Sequence, residues 1–391
     1  MGEPAAVVWD EKMLAYNMGE GHPFNPVRIA LTMRLATALG VLDGIEPQRP
    51  TEAADSELER FHRASYLRAV RLAPELGEDL PHGLGTEDNP IFTDMHAATA
   101  LVVGGSLRAA REIASGRVRR AVNVSGGLHH AMPGHASGFC VYNDCAVTIS
   151  WLLDHGFDRI AYLDADVHHG DGVQHAFYGD PRVLTVSLHQ HPKTLWPGTG
   201  FPHEVGGPGA EGYAVNLPLL PRTGDAEWLR AFDAVVPSLL GSFRPQILLT
   251  QCGVDTHHED PLADLSLHVD GHREIYRRFR DLAQVHTEGR WLAVGGGGYA
   301  LLRAVPRSWT HLLAIMLDRD IEPATAIPVD WIELVSDLAP GAALPDTMGE
   351  NADVAVRGWS GGDTDAVDLA IADTRHAVFP LHGLDPDDPR D

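Results

Sequence analysis

The chain has 391 residues, 44% apolar and 21% charged, which suffices for the core of a large α/β domain and excludes global disorder. With 30 Lys+Arg against 54 Asp+Glu, the net charge of −24 argues against nucleic-acid or anionic-membrane partners, whose phosphates it repels. Cys140, Cys145 and Cys252 form no CxxC pair, no apolar run approaches a membrane span and the first residues lack a signal-peptide pattern, so a cytoplasmic protein is expected.

In chain order, short apolar runs predict buried parallel strands at 6–9 (AVVW), 121–125 (AVNVS), 160–164 (IAYLD), 183–189 (VLTVSLH), 247–253 (ILLTQCG) and 291–297 (WLAVGGG). Helical periodicity falls at 26–40, 94–116, 144–156, 225–243 and 270–286. The alternation predicts βαβ units, hence an α/β fold with a mostly parallel sheet between two helical layers. No Ser, Gly or Pro-rich linker divides the chain, so a single catalytic domain over 1–391 is expected. From residue 319 the sequence turns richer in Pro, Asp and Gly and predicts an extension packed on the domain, its last residues (DPDDPRD) frayed.

The chemistry gathers just after the strands. AVNVS leads into GGLHHAMPGHASGF, IAYLD into ADVHHGDG, VLTVSLH into QHPKTLWPGTG, ILLTQCG into VDTHHEDP, and WLAVGGGG into Tyr299. Open parallel sheets place their ligand crevice at the carboxyl ends of the strands, so five such ends predict one shared pocket. Asp164, Asp166 and His168 alternate and share a side in extended chain. Asp166 and His168, with Asp255 from another strand, make a two-carboxylate, one-imidazole set that leaves a coordination position open, the mark of a catalytic metal. A lone aspartate at a strand–helix junction often only caps the helix, but capping explains the whole DADVHHGDG run poorly. His129 and His130 follow two glycines and suit acid–base work, with Asp164 and Asp171 as carboxylate partners for their rings. Tyr299 ends GGGGY, which lacks the GxxxxGK[ST] of a phosphate loop, so its phenol reads equally as structural or as a donor to a developing oxyanion. His62, His96 and His155 read as helix-surface residues, His257 and His258 as rim or surface, and His169 has no assigned part.

The motifs SGGLHHA (125–131), GFCVYND (138–144), DADVHHGDG (164–172), VSLHQ (186–190), PGTG (197–200), QCGVD (251–255) and GGGGY (295–299) resemble, in order and spacing, those of the zinc-dependent histone deacetylase family. GEGHPFNPVRIALT (19–32) and GLGTEDNPIF (83–92) resemble its bacterial branch. The resemblance implies an arginase–deacetylase fold with a central eight-stranded sheet and a zinc or ferrous ion on Asp166, His168 and Asp255. It implies His129 and His130 as the acid–base pair, Asp164 and Asp171 as their supports, and Tyr299 as the residue that polarises the acetyl carbonyl. It further implies potassium at Asp164, Asp166, His168, Ser187 and Leu188, and a second potassium at Phe177, Asp180, Val183 and Tyr213. Phe139 and Trp196 are implied as walls of a substrate tunnel, with Gly138, Cys140, Leu262 and Gly297 also at the substrate. A rim aspartate found in eukaryotic relatives has no clear counterpart here; Glu87 and Asp88 are offset from it.

The implied reaction is hydrolysis of Nε-acetyl-lysine in proteins, with an acetylated metabolic enzyme such as an acetyl-CoA-forming synthetase as the implied substrate. Two alternatives stand beside it: a deacetylase of acetylpolyamines or other small acylated amines, and a non-catalytic acyl-lysine binding module. An arginase-like two-metal site is weaker, since it needs further ligands.

Overall fold

The computed structural model describes residues 4–77, 80–362 and 364–391. Seven parallel strands form one sheet: β1 Ala5–Val7, β2 Arg120–Asn123, β3 Ile160–Asp164, β4 Val183–Gln190, β5 Ala214–Leu219, β6 Ile247–Gln251 and β7 Trp291–Val294. Their order is β1-β2-β7-β6-β3-β4-β5. Strands β2 to β7 are buried at every residue, as a sheet covered by helices on both faces requires. One apolar cluster gathers Trp228, Phe232, Phe279 and Trp309 on one face, and a second gathers Tyr66, Val103, Val147 and Tyr162 on the other.

All six expected strands are present, each within a few residues of its predicted ends, and the helices Val27–Ala38, Met95–Ala114, Asp144–Asp154, Asp225–Phe243 and Val269–His286 fill the five periodic stretches. The strand missing from the expected set is β5. Pro218 interrupts its run, which the sheet tolerates because β5 lies at an edge. Against the eight strands implied, the described residues hold seven. Beyond β1 the chain makes only a one-residue parallel bridge between Val8 and Gln48, and Pro47 and Pro50 keep that pairing from lengthening. No described helix is long and apolar enough to cross a membrane.

The register aligns the chemistry. Asn123 pairs with Val294, Val294 with Gln251, Gln251 with Asp164, Asp164 with Ser187, and Ser187 with Asn216. One row across six strands thus marks the carboxyl margin, and the segments that carry the expected site residues emerge from it together. The order reverses between β3 and β6, the switch point where α/β sheets open a crevice.

The segment after residue 319 adds the helices Val329–Leu338 and Ala366–Val378. Trp331 buries its ring against the first helix and donates Nε1–H to the Leu31 carbonyl at 3.0 Å. The last residues, expected to fray, turn back around the Arg375 guanidinium, which donates to the carbonyls of Ala234, Asp385, Pro386, Asp388 and Asp391. It also stacks 4.4 Å from the Trp359 ring centroid and 4.0 Å from that of Phe379. A polar, acidic tail is ordered because one buried cation collects its carbonyls. Replacing Arg375 with Ala is expected to lower the unfolding free energy by roughly 1.5–3 kcal/mol, the range for hydrogen bonds to a charged group. Urea denaturation checks this, and an unchanged midpoint would refute the anchoring role.

Candidate active site

At the switch point, the loop after β3 carries Asp166 and His168, and the loop after β6 carries Asp255. His168 Nδ1 stands 3.2 Å from Asp166 Oδ1 and 3.1 Å from Asp255 Oδ2. The three side chains bring their donor atoms within 4.8 Å of one another. Both carboxylates are held from outside. Gln251 Nε2 donates to Asp166 Oδ2 at 2.6 Å and Gly297 N–H to the same oxygen at 2.8 Å, while Val167 N–H donates to Asp255 Oδ1 at 3.0 Å. Two glycines permit this crowding. A Cβ on Gly297 would lie 2.0 Å from Asp255 Oδ2, and one on Gly253 would lie 2.2 Å from Asp166 Oδ2.

The electrostatics of this group call for a cation. Burial and the Asp166 charge push the Asp255 carboxyl up to about 6. Burial opposes charge on His168, yet its hydrogen bonds to Asp166 and Asp255 raise it to about 10. A divalent ion would draw on the same three donor atoms. Two oxygens and one nitrogen suit zinc or another first-row ion, so the residues present fit the metal.

His129 and His130 follow β2 with ring centroids 4.0 Å apart. His129 Nδ1 bonds Asp164 Oδ2 at 2.7 Å, and His130 Nδ1 bonds Asp171 Oδ1 at 2.7 Å. The second nitrogen of each ring is thus left for the chamber, and His129 Nε2 lies 3.8 Å from Asp166 Oδ1. Burial opposes charge on both rings. It is overcome at His129, which Asp164 and Asp166 raise to about 9, and reinforced at His130, which the His129 charge helps lower to about 4. The carboxylates thus favour a proton on His129, while burial and the neighbouring His129 charge disfavour one on His130.

Tyr299 follows the glycine loop after β7. Burial and the Asp255 charge hold its phenol well above the ordinary tyrosine range, so it stays a donor. Its backbone N–H donates to Asp260 Oδ2 at 2.7 Å. The outer cavity, about 210 Å³, is lined by Asp88, His130, Gly138, Phe139, His168, Leu195, Trp196, Leu262 and Tyr299. Of the expected substrate positions, Cys140 and Gly297 instead line the inner chamber with Gly138, both histidines and Tyr299. Trp196 leans on the bare Cα of Gly138, where a Cβ would lie 2.6 Å from the indole. Phe139 adopts φ 65°, unusual for an aromatic residue, and is pinned there by the Tyr16 hydroxyl, which donates to its carbonyl at 2.7 Å.

Of the potassium positions, Asp164 pairs with Ser187 across β3 and β4, with Leu188 next in the strand. The other set lies at the opposite end of β4: Phe177 and Asp180 accept bonds within the turn that leads to Val183, and Tyr213 accepts from Thr185. The Phe177 and Asp180 carbonyls each keep a second lone pair, whereas the Tyr213 carbonyl also accepts the Thr185 hydroxyl at 3.4 Å.

A histone deacetylase domain is matched over residues 22–316. The chain belongs to the histone deacetylase family. It is 39% identical over 353 residues to acetoin utilization protein AcuC of Bacillus subtilis (strain 168), covering 89% of this chain and 90% of that one. It is 40% identical over 331 residues to AcuC of Staphylococcus aureus (strain MSSA476), covering 84% and 85%. Among solved structures, a histone deacetylase homologue complexed with SAHA superposes with a TM-score of 0.81 at 29% identity, covering 91% of this chain and 97% of that one. The sheet described above is thus the arginase–deacetylase fold, and the chain is a deacetylase-family hydrolase resembling AcuC.

Several site residues escape a reading by motif. Asp88 lies at the cavity rim after all, its Oδ2 accepting the Gly138 N–H at 2.9 Å. Asp144 accepts the Gly127 and Leu128 N–H groups and so sets the turn before the histidine pair. Arg28, buried in the first helix, donates to the carbonyls of Gly296 and Gly298 beneath Tyr299. His62 is no surface residue: its Nε2 accepts the Asn143 N–H, and Asn143 Nδ2 donates to the carbonyls of His129 and Ala131. His257 is likewise buried, while His258 is exposed. His169 bridges Thr199 Oγ1 at 2.8 Å and Gln174 Oε1 at 3.1 Å, bracing the loop that carries Trp196. Asp144 closes GFCVYND and Arg28 lies within GEGHPFNPVRIALT, but neither pattern states what the residue does.

Gly297→Ala is expected to fold yet bind zinc about 10- to 100-fold more weakly, since the new methyl displaces Asp255. Asp255→Ala should retain no stoichiometric metal. Competition against a chromogenic chelator and elemental analysis read both, and wild-type affinity in either variant would remove Asp255 from the ligand set.

Proposed function

We propose that the chain hydrolyses the Nε-acetyl-lysine amide of proteins to lysine and acetate, using zinc held by Asp166, His168 and Asp255. The observation that carries this is the joining, beneath a cavity walled by Phe139, Leu195, Trp196 and Leu262, of a buried carboxylate–imidazole triad with a carboxylate-bonded histidine pair and a tyrosine. When bound, the ion supplies Lewis acidity for a water and for the acyl oxygen. Phe139, Trp196 and Leu262 enclose the methylene stem, whose transfer from water contributes about 0.8 kcal/mol per CH₂.

The protein's own groups then move the protons. His130, neutral and oriented by Asp171, accepts a proton from the attacking water as its oxygen bonds to the acyl carbon. The Tyr299 hydroxyl donates to the oxygen that gains charge, and its high pKa keeps that proton in place. Cleavage of the C–N bond delivers the electron pair to the lysine nitrogen, which receives a proton from the histidine pair; the acyl group leaves as acetate. Asp164, Ser187 and Leu188 offer potassium a place behind the triad, where a monovalent cation would offset the carboxylate charge, and the 177–183 turn with Tyr213 offers a second.

Tyr299→Phe should retain zinc while losing about 10²–10³ in turnover, the usual cost of one oxyanion donor. Near-wild-type turnover would end the assigned role. Wild-type protein is expected to deacetylate acetyl-lysine peptides, to lose that activity to a chelator and to regain it with added zinc. A panel of acylated peptides and acetylated polyamines, with a hydroxamate inhibitor as control, tests the substrate. Faster turnover of polyamines would replace the protein substrate, and binding of acetyl-peptide by metal-loaded protein without turnover would make the chain a binding module.

A further inference from the structure

His257, His258 and Glu350 bring possible ligand atoms within 4.8 Å of one another, 2 to 3 residues beyond the metal ligand Asp255 in the case of the histidines. They do not form a second cation site. His257 Nδ1 accepts the Glu259 N–H at 3.1 Å, so its proton resides on Nε2 and is donated to Glu350 Oε2 at 3.0 Å. A metal on Nε2 would need the lone pair that this proton occupies. The Glu350 charge is already met by Arg307, which donates to Oε1 at 2.5 Å.

The same bonds describe a brace. Residues 254–262 form successive turns, with His257 N–H on the Val254 carbonyl and Asp260 N–H on the His257 carbonyl. One end of this loop presents Asp255 to the triad. The other presents Asp260, whose two carboxylate oxygens hold the N–H groups of Leu262 and Tyr299. His257 stands between them, fully buried, and its outward bond goes to Glu350. Glu350 is itself fixed: its Oε2 also accepts the Val269 N–H at 3.0 Å, its N–H donates to Asp270 at 2.7 Å, and Arg307 donates to the Gly349 carbonyl at 3.1 Å. Glu350 lies beyond residue 316, where the family match ends.

We propose that Glu350 is a positioning residue that, through His257, fixes the 254–262 loop and thereby both Asp255 and Tyr299. The segment after residue 319 thus contributes to the metal centre without touching it. The proposal rests on the zinc-hydrolase function proposed above for the effect on turnover, but its effect on metal retention stands apart from any substrate.

The test is a double-mutant cycle on zinc-loaded protein, with zinc release into excess chelator as the first readout. Glu350→Ala is expected to release zinc about tenfold faster, in line with outer partners of metal ligands, whereas Glu350→Gln, which keeps an acceptor for His257, should stay near wild type. His257→Phe removes the link while leaving Glu350 on Arg307 and Val269, and serves also if Glu350→Ala does not fold. The double variant should release zinc no faster than His257→Phe alone. On acetyl-lysine peptide, kcat should fall about tenfold with KM little changed. Wild-type release rates in the single variants, or effects that multiply in the double, would overturn the proposal. Wild-type protein without deacetylase activity would overturn the proposed function alone, since the release rates decide the role of Glu350 independently.

Discussion

The close approach of two buried carboxylates, Asp166 and Asp255, is the constraint on which the surrounding structure depends. Neither side chain reaches solvent, and like charges in a desolvated place repel strongly, so the pair is tolerable only with a cation between the groups and donors behind them. His168 is one such partner, and Gln251, Val167 and Gly297 supply the donors. The fold explains how so many donors converge. Asp166 and Asp255 leave adjacent strands at the point where strand order reverses, and the parallel register brings the ends of β7 and β2 level with them. Glycine at 253 and 297 follows from the same crowding, because the space a methyl would fill is occupied by carboxylate oxygen.

A second consequence concerns the histidine pair. Both rings are buried and near neighbours, so they cannot both carry charge without large cost. Asp164 sits at the end of β3 with Tyr162 and Asp166 N–H also bonded to it, and it holds the proton on His129. Asp171 begins the next helix and orients His130 without the help of a second facing carboxylate. One ring is thereby biased to keep a proton and the other to accept one. The chain path contributes to this asymmetry, since Asp164 and Asp171, at the two ends of one loop, reach the pair from two sides.

Most of the fold and the inner site could be read in the sequence because both rest on local pattern. Strand runs such as IAYLD and VLTVSLH are apolar at nearly every position, as a doubly covered sheet demands, and the ionisable residues that end them stand out against that background. What escaped detection depends on tertiary pairing. Nothing near Pro218 shows that its strand lies at an edge. Arg28 and Glu350 look like ordinary helix and loop charges until the glycine loop, 268 residues away, and His257, 93 residues away, are brought to them. His62 and His257 carry no periodic or motif signal of burial. Their hydrogen-bond partners, Asn143 and Glu350, are remote in sequence. Composition predicts a frayed acidic tail because it does not register that Arg375 gathers the tail's carbonyls.

The two walls of the tunnel are held by different means. Phe139 belongs to a segment in left-handed conformation, pinned by Tyr16 through its carbonyl and through the Val141 N–H, and its ring meets Tyr299 edge-on at 5.7 Å. A shift of this wall would therefore reach the Tyr299 ring. Trp196, 46% exposed, stands on a loop braced further along, where His169 bonds Thr199 and Glu204 Oε1 accepts the N–H groups of Gly200 and Phe201. Its own ring is held by packing on Gly138 and by an edge contact with His130 at 4.6 Å rather than by hydrogen bonds. The phenylalanine side is thus fixed through hydrogen-bonded backbone, whereas the indole side is fixed through packing. The loop is braced at residues 199–201, beyond the indole itself, while His168, on the neighbouring loop, is held by its two carboxylates.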